Sequence, residues 1–178
     1  SQKKLLSNLN ELKNVFIWAE QGIGDQIMYG SILPEISKLS KKVTVKLDKR
    51  LIKIFERKHK NINFIDYNAE INEEEYNAHL PLGDLGYFFR KDEESFNKVN
   101  FPYIDVNEKI CSKVKSTYHE QNKTIVGISW TSNNQEIGKD KSVRLTDLIP
   151  ILNLKHLTLL DLEYNESKKE KSNLYKNI

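Results

Sequence analysis

The run Val15-Phe16-Ile17-Trp18-Ala19 is short, apolar and rich in β-branched and aromatic residues. It leads within three residues into Gly22-Ile23-Gly24-Asp25, where a helical pattern begins. An unbroken apolar run of this length, with no polar alternation, is the mark of a strand covered on both faces. Such strands belong to parallel sheets with helical crossovers. A buried strand that ends in a glycine loop and a helix therefore commits this part of the chain to an α/β architecture. In open α/β sheets, ligands sit beyond the carboxyl ends of the strands. Glycines at that edge let backbone N–H groups approach a ligand, and the helix N-terminus favours negative charge.

The following residues repeat the alternation. Met28, Ile32, Ile36 and Leu39 recur at helical spacing over residues 25–39, with Pro34 expected to kink or interrupt the helix. Residues 43–47 alternate as a second strand, 50–58 form a second helix, 62–65 a third strand and 76–80 a fourth. The expected fold is a Rossmann-like, doubly wound parallel sheet. In 83–101, Gly83, Gly86 and the aromatics Tyr87, Phe88 and Phe89 point to a short helix or loop packed on the sheet. Residues 107–118 read as a helix with Ile110, Val114 and Tyr118 on its buried face, and 119–123 as a linker. The alternation then restarts with a strand at 124–130, a polar loop at 131–141, a helix at 142–152 and a strand at 157–162. The expected domains are 1–121 and 122–178. The second is the beginning of another Rossmann-like unit and is incomplete, because three elements cannot bury a full core.

Composition removes several function classes. Apolar residues make up 38% of the 178 and charged residues 30%, which suits a packed core under a solvated surface. No stretch approaches the roughly 20 apolar residues of a membrane helix, and residues 1–4 lack the apolar core of a signal peptide. The single cysteine, Cys111, leaves no internal disulfide and fits a reducing, cytoplasmic setting. Net charge is a modest +3. The basic stretch 49–60 is interrupted by Leu51, Ile52, Ile54 and Phe55, which makes it an amphipathic helix with a solvated face rather than a nucleic-acid site. None of His59, His79, His119 and His156 has metal-ligand spacing with another histidine or with Cys111. The nucleophile elbow Gly-x-Ser-x-Gly is absent.

Three local patterns bear on a site. Gly22-Ile23-Gly24-Asp25-Gln26-Ile27 has the outline of a dinucleotide fingerprint, with Asp48 near the end of the second strand. Ile27, however, takes the place of the third glycine, and Asp25 would face a pyrophosphate. Asp25 itself has two readings, the helix N-cap or a side chain presented to a ligand. His79, before Pro81 at the end of a strand, is either structural or directed toward the same cleft. Gly138-Lys139 fails as a P-loop, since Asp140 replaces the hydroxyl residue and Asn133 the first glycine. Trp130-Thr131-Ser132-Asn133 after a strand, and Lys141-Ser142 before a helix, suit a phosphate group or a capped helix beside a charged loop.

Together these segments resemble the heptosyltransferase-like glycosyltransferases of family 9, in the branch associated with tetratricopeptide repeats. The carriers are Glu20-Gln21-Gly22-Ile23-Gly24-Asp25-Gln26 with Leu33-Pro34, His79-Leu80-Pro81-Leu82, Pro102-Tyr103-Ile104, Val126-Gly127-Ile128-Ser129-Trp130 with Asn133, and Lys141-Ser142 with Leu145 and Leu148. The resemblance covers about residues 15–164. It implies a GT-B architecture, with the N-terminal domain on the acceptor side and the C-terminal one on the donor side. It also implies metal-independent inverting transfer from a nucleotide sugar to a carbohydrate or protein acceptor, with no cofactor. Asp25 is the implied general base. Gly22, Gly24, Gln26, His79, Trp130, Asn133, Lys141 and Ser142 are the implied substrate contacts, with Lys141 and Ser142 near the diphosphate.

The chain departs from the family pattern in three places. Gly83-Asp84-Leu85-Gly86 stands where a Ser-Leu-Pro is common, Glu163 stands where many relatives carry glutamine, and the later donor-gripping segment is missing. The expectation is accordingly a fragment of such an enzyme. A non-catalytic α/β binding or interaction module is the alternative, followed by a dinucleotide-binding protein.

Overall fold

Parallel pairing organises the first part of the chain. In the computed structural model, described over residues 4–5, 12–97, 101–118, 122–132, 138–163 and 171–172, the chain divides into two units, 1–106 and 107–178. The first unit contains β1 (Lys4–Leu5), β2 (Asn14–Trp18), α1 (Ile23–Gly30), α2 (Leu33–Leu39), β3 (Lys42–Leu47), α3 (Lys49–Glu56), β4 (Ile62–Asp66), β5 (Ala78–Pro81), α4 (Leu85–Phe89) and α5 (Glu93–Phe96). Its sheet is parallel, in the order β1-β5-β2-β3-β4. Numbered by chain order, the four full strands run 3-2-1-4, the arrangement of a Rossmann half. The sheet flanked by helices is thus a mixed α/β fold of Rossmann-like type.

Strand pleating explains the two faces. Val15 and Ile17, Val43 and Val45, Ile62 and Phe64, and Ala78 and Leu80 all belong to one buried core with Leu33 and Ile36 of α2 and Leu51 and Phe55 of α3. The alternate positions, Phe16, Trp18, Thr44 and His79, point to the other face. Gly30 is the point of closest helix packing: a Cβ there would lie 2.4 Å from the Phe55 ring, so only glycine fits without displacing that ring.

The expected single helix at 25–39 is two helices. α1 ends at Gly30, and Pro34 sits in the first turn of α2, where its missing N–H would have had no intrahelical partner. Tyr76, expected in the fourth strand, precedes β5, which begins at Ala78. Two short helices, α4 and α5, occupy the 83–101 stretch.

The second unit contains α6 (Glu108–Tyr118), β6 (Thr124–Ile128), α7 (Ile149–Leu152) and β7 (Leu157–Asp161), with a short 3₁₀ turn at Leu145–Leu148. β6 and β7 pair in parallel. Its buried apolar residues, among those described, are Trp130 and Leu145, backed by Ile128, Leu148, Ile149 and Leu152. α6 lacks the buried face expected of it, since Ile110 and Tyr118 are exposed and Val114 is no more than half-buried. The helix expected at 142–152 is reduced to the 3₁₀ turn plus four residues of α7.

Candidate functional site

Strand order reverses between β2 and β5, and the carboxyl ends of these two strands make the crevice where open α/β sheets take ligands. The ladder continues past both strands: Leu82 N–H donates to the Trp18 carbonyl at 2.8 Å. Beyond it the loops are joined by Glu20, whose Oε1 accepts from the Gly83 N–H at 3.3 Å. A Cβ on Gly83 would come within 2.8 Å of that oxygen, so the glycine noted as a departure from the family pattern makes room for the Glu20 carboxylate. Glu20 was visible in the sequence only as part of a motif. Its structural partner lies 63 residues away.

Asp25 lies in the first turn of the helix that leaves β2, but it is not the helix cap. Gly22 is the N-cap, in extended conformation, and its carbonyl accepts from the Gln26 N–H at 3.0 Å. Asp25 is the third residue of α1, half-buried, in the turn where the positive end of the helix dipole lies. Gly22 and Gly24 are exposed beside it. At Gly24 a Cβ would meet nothing within 4 Å, so the backbone there is open to an incoming molecule.

Gln26, the next residue, is committed to the fold. It is buried, its Nε2 donates to the Gln21 carbonyl at 2.8 Å and to the Tyr67 hydroxyl, and its Oε1 accepts from the Asp48 N–H at 3.0 Å. One amide therefore ties together the loops that follow β2, β3 and β4. Burial raises the Tyr67 phenol above its usual range, while the Gln26 hydrogen bond opposes the shift. Asp48 caps α3 and accepts from the Arg50 N–H. The Arg50 guanidinium beside it holds its pKa down to about 2.

His79 is the second residue of β5, in register with Phe16, on the face away from the helix-packed core. Its ring lies 4.9 Å from that of Trp18 and edge-on to Tyr76 at 6.0 Å.

In the second unit, Trp130 is a core residue, 4% exposed. Lys171 Nζ lies 5.3 Å over its ring. Ser142 is upstream of the 3₁₀ turn rather than at a helix start. Its hydroxyl donates to the Gly138 carbonyl at 2.6 Å and accepts from the Ser132 N–H at 2.9 Å, closing the loop between them. Lys141 is exposed, and Asn133 lies outside the described residues. At the end of β6, the Glu163 carboxylate accepts from the N–H groups of Trp130 and Thr131 at 3.1 and 2.9 Å. Among the described residues, no group of three or more His, Cys, Asp or Glu side chains is arranged to hold a metal, and no helix is long and apolar enough to cross a membrane.

No protein-family model matches the chain, and neither does any curated protein or solved structure.

Proposed function

We propose that the chain is the acceptor-side part of a nucleotide-sugar glycosyltransferase, together with the beginning of its donor side, and that Asp25 is the general base. The observation that carries this reading is the position of Asp25: a half-buried carboxylate in the first turn of the helix that leaves β2, at the switch point of a 3-2-1-4 sheet. In the proposed step, Asp25 takes the proton of an acceptor hydroxyl as that oxygen forms a bond to the anomeric carbon. The bond from that carbon to the diphosphate breaks on the opposite side, and the nucleoside diphosphate leaves with the electron pair, inverting the centre. Gly22 and Gly24 leave the approach open. Gln26 acts as a positioning residue by anchoring the start of α1, where Asp25 lies, to the loops after β3 and β4. On the donor side, Lys141 is the proposed diphosphate contact.

The test is turnover of nucleotide sugars by the natural full-length protein and its Asp25→Asn variant. Loss of transfer with an unchanged fold supports the reading. Retained turnover in the variant removes Asp25 from the chemistry. A binding module without turnover is the second reading, favoured by Glu163: its carboxylate already holds the two N–H groups at the end of β6 that a donor phosphate would use. That reading predicts no turnover of any nucleotide sugar by the full-length protein.

A further inference from the structure

One side of α1 borders an apolar groove that the proposed chemistry does not use. Two adjoining cavities of 380 and 450 Å³ share Met28, Ser31 and Phe101. The first reaches Gly24, and the second runs past Gly86 to Phe96. Both volumes fall within the roughly 300–1,000 Å³ of small-molecule sites. Met28, Phe96 and Phe101 are 54%, 58% and 73% exposed, a concentration of large apolar side chains that a solvated surface does not need.

The polar groups along the groove are already bonded within the protein. Ser31 Oγ donates to the Met28 carbonyl at 2.7 Å, and Tyr103 hydroxyl to the Ile27 carbonyl at 2.8 Å. Arg90 is paired with Glu35 at 2.6 Å and lies 5.8 Å over the Phe96 ring. What the groove offers an occupant is apolar contact. Its near end is fixed relative to the proposed base, because Asp25 and Met28 are three residues apart on one helix, with Cβ atoms about 5–6 Å apart.

We infer that the acceptor carries a hydrophobic group, an alkyl or aryl aglycone, and that this group lies in the groove beside α1 with its reacting hydroxyl at Asp25. The inference rests on the glycosyltransferase reading for the word acceptor, and on the groove itself for the chemistry of the occupant.

The chain has one methionine, so a ¹³C-methyl label reports on Met28 alone. The probes are n-octyl β-D-glucopyranoside, kept below its micelle concentration, and methyl β-D-glucopyranoside. The octyl glycoside should shift the Met28 signal saturably, and the methyl glycoside should not. Gly86 has open space where its Cβ would be and no left-handed backbone, so Gly86→Phe can fill the groove without strain and should weaken octyl binding at least tenfold. Phe96→Ser, which removes one wall, should weaken it as well and guards against misfolding of the first variant. No saturable shift, an equal response to both glycosides, or unchanged binding in both groove variants overturns the inference. If binding follows the expected pattern but turnover does not depend on Asp25, the glycosyl-transfer reading fails and the acceptor assignment fails with it.

Discussion

The two units begin with the same grammar, a parallel strand running into a loop, yet they hold their loops in different ways. In the first unit, the loops after three strands are tied by the buried amide of Gln26, above a core in which Ile17, Leu33, Val45 and Phe55 are fully buried. In the second, the strand end is held by a half-exposed carboxylate, Glu163, and the core is Trp130 and Leu145 with partly buried neighbours. A neutral buried amide ties an edge together without adding charge, and the neighbouring carboxylate Asp25 is not used in those bonds. A carboxylate bonded to backbone N–H groups instead occupies the donors that a ligand would need. By this comparison the first unit holds its strand ends with a buried neutral group, and the second holds its strand end with a charged, partly exposed one.

The largest expected effect tests where the chemistry lies. Asp25→Asn in the full-length protein should lower kcat by about 10²–10⁴-fold, the usual contribution of a positioned general base. A Lys141→Ala variant should chiefly raise KM for the donor. If the two effects were exchanged, the assignment of roles to the two units would be wrong.

Stability offers the next test, because the chain has two tryptophans, Trp18 in the first unit and Trp130 in the second. Single-tryptophan variants, Trp18→Phe and Trp130→Phe, give each unit its own denaturation signal. The second unit should unfold at lower urea than the first. Phe55→Ala, which removes a fully buried ring packed on Gly30, should cost the Trp18 transition about 3–5 kcal/mol and leave the Trp130 transition in place. Gln26→Ala should cost the same unit about 1–3 kcal/mol, since the Asp48 N–H and the Gln21 carbonyl lose their partner. It should also lower kcat by loosening the start of α1.

The sequence was informative where the chemistry of single residues is strong. The apolar run at 15–19, the glycine loop and the alternation through residue 80 specify a parallel α/β sheet, because burial on both faces leaves few other solutions. Pro34 marked a break correctly, but its ability to start a helix, and so to divide the segment at Gly30, depends on where the preceding helix ends. Asp25 was legible as either cap or ligand-facing residue. What excludes the cap is that Gly22 takes the extended cap conformation, which residue types alone do not dictate. Gln26 and Glu20 were legible as motif members only, because their partners, Tyr67, Asp48 and Gly83, are brought to them by tertiary structure. The amphipathic pattern of α6 misled for the same reason: Ile110 has helical spacing but no apolar surface to meet it.

The smallest expected effect is a difference in pH dependence between the units. His59 is buried behind α3, and its Nε2 lies 2.9 Å from the Tyr103 carbonyl, to which it donates. Burial lowers its pKa from the ordinary 6.5, and Lys58 lowers it further, while the bond to Tyr103 and the Asp105 carboxylate oppose the change. The unfolded chain therefore binds a proton more readily than the folded one, so stability rises with pH across this range. The contribution of neutral His59 is fully present above about pH 6.5 and is lost as pH falls below that value toward the lowered folded pKa. Asp48, held at about 2, acts in a separate window, losing its contribution only as pH falls from 3.8 through that value. Between pH 7 and 5 the urea midpoint read by Trp18 should fall, and the decline should flatten in His59→Asn, whose amide can still donate to Tyr103. The midpoint read by Trp130 should stay level over the same range, because the shifts among the described residues of the second unit, Arg144 raised and Asp147 and Asp161 lowered, lie outside that window. A parallel decline in both signals would mean that the units unfold together, and the contrast between a rigid first edge and a loosely held second one would have to be abandoned.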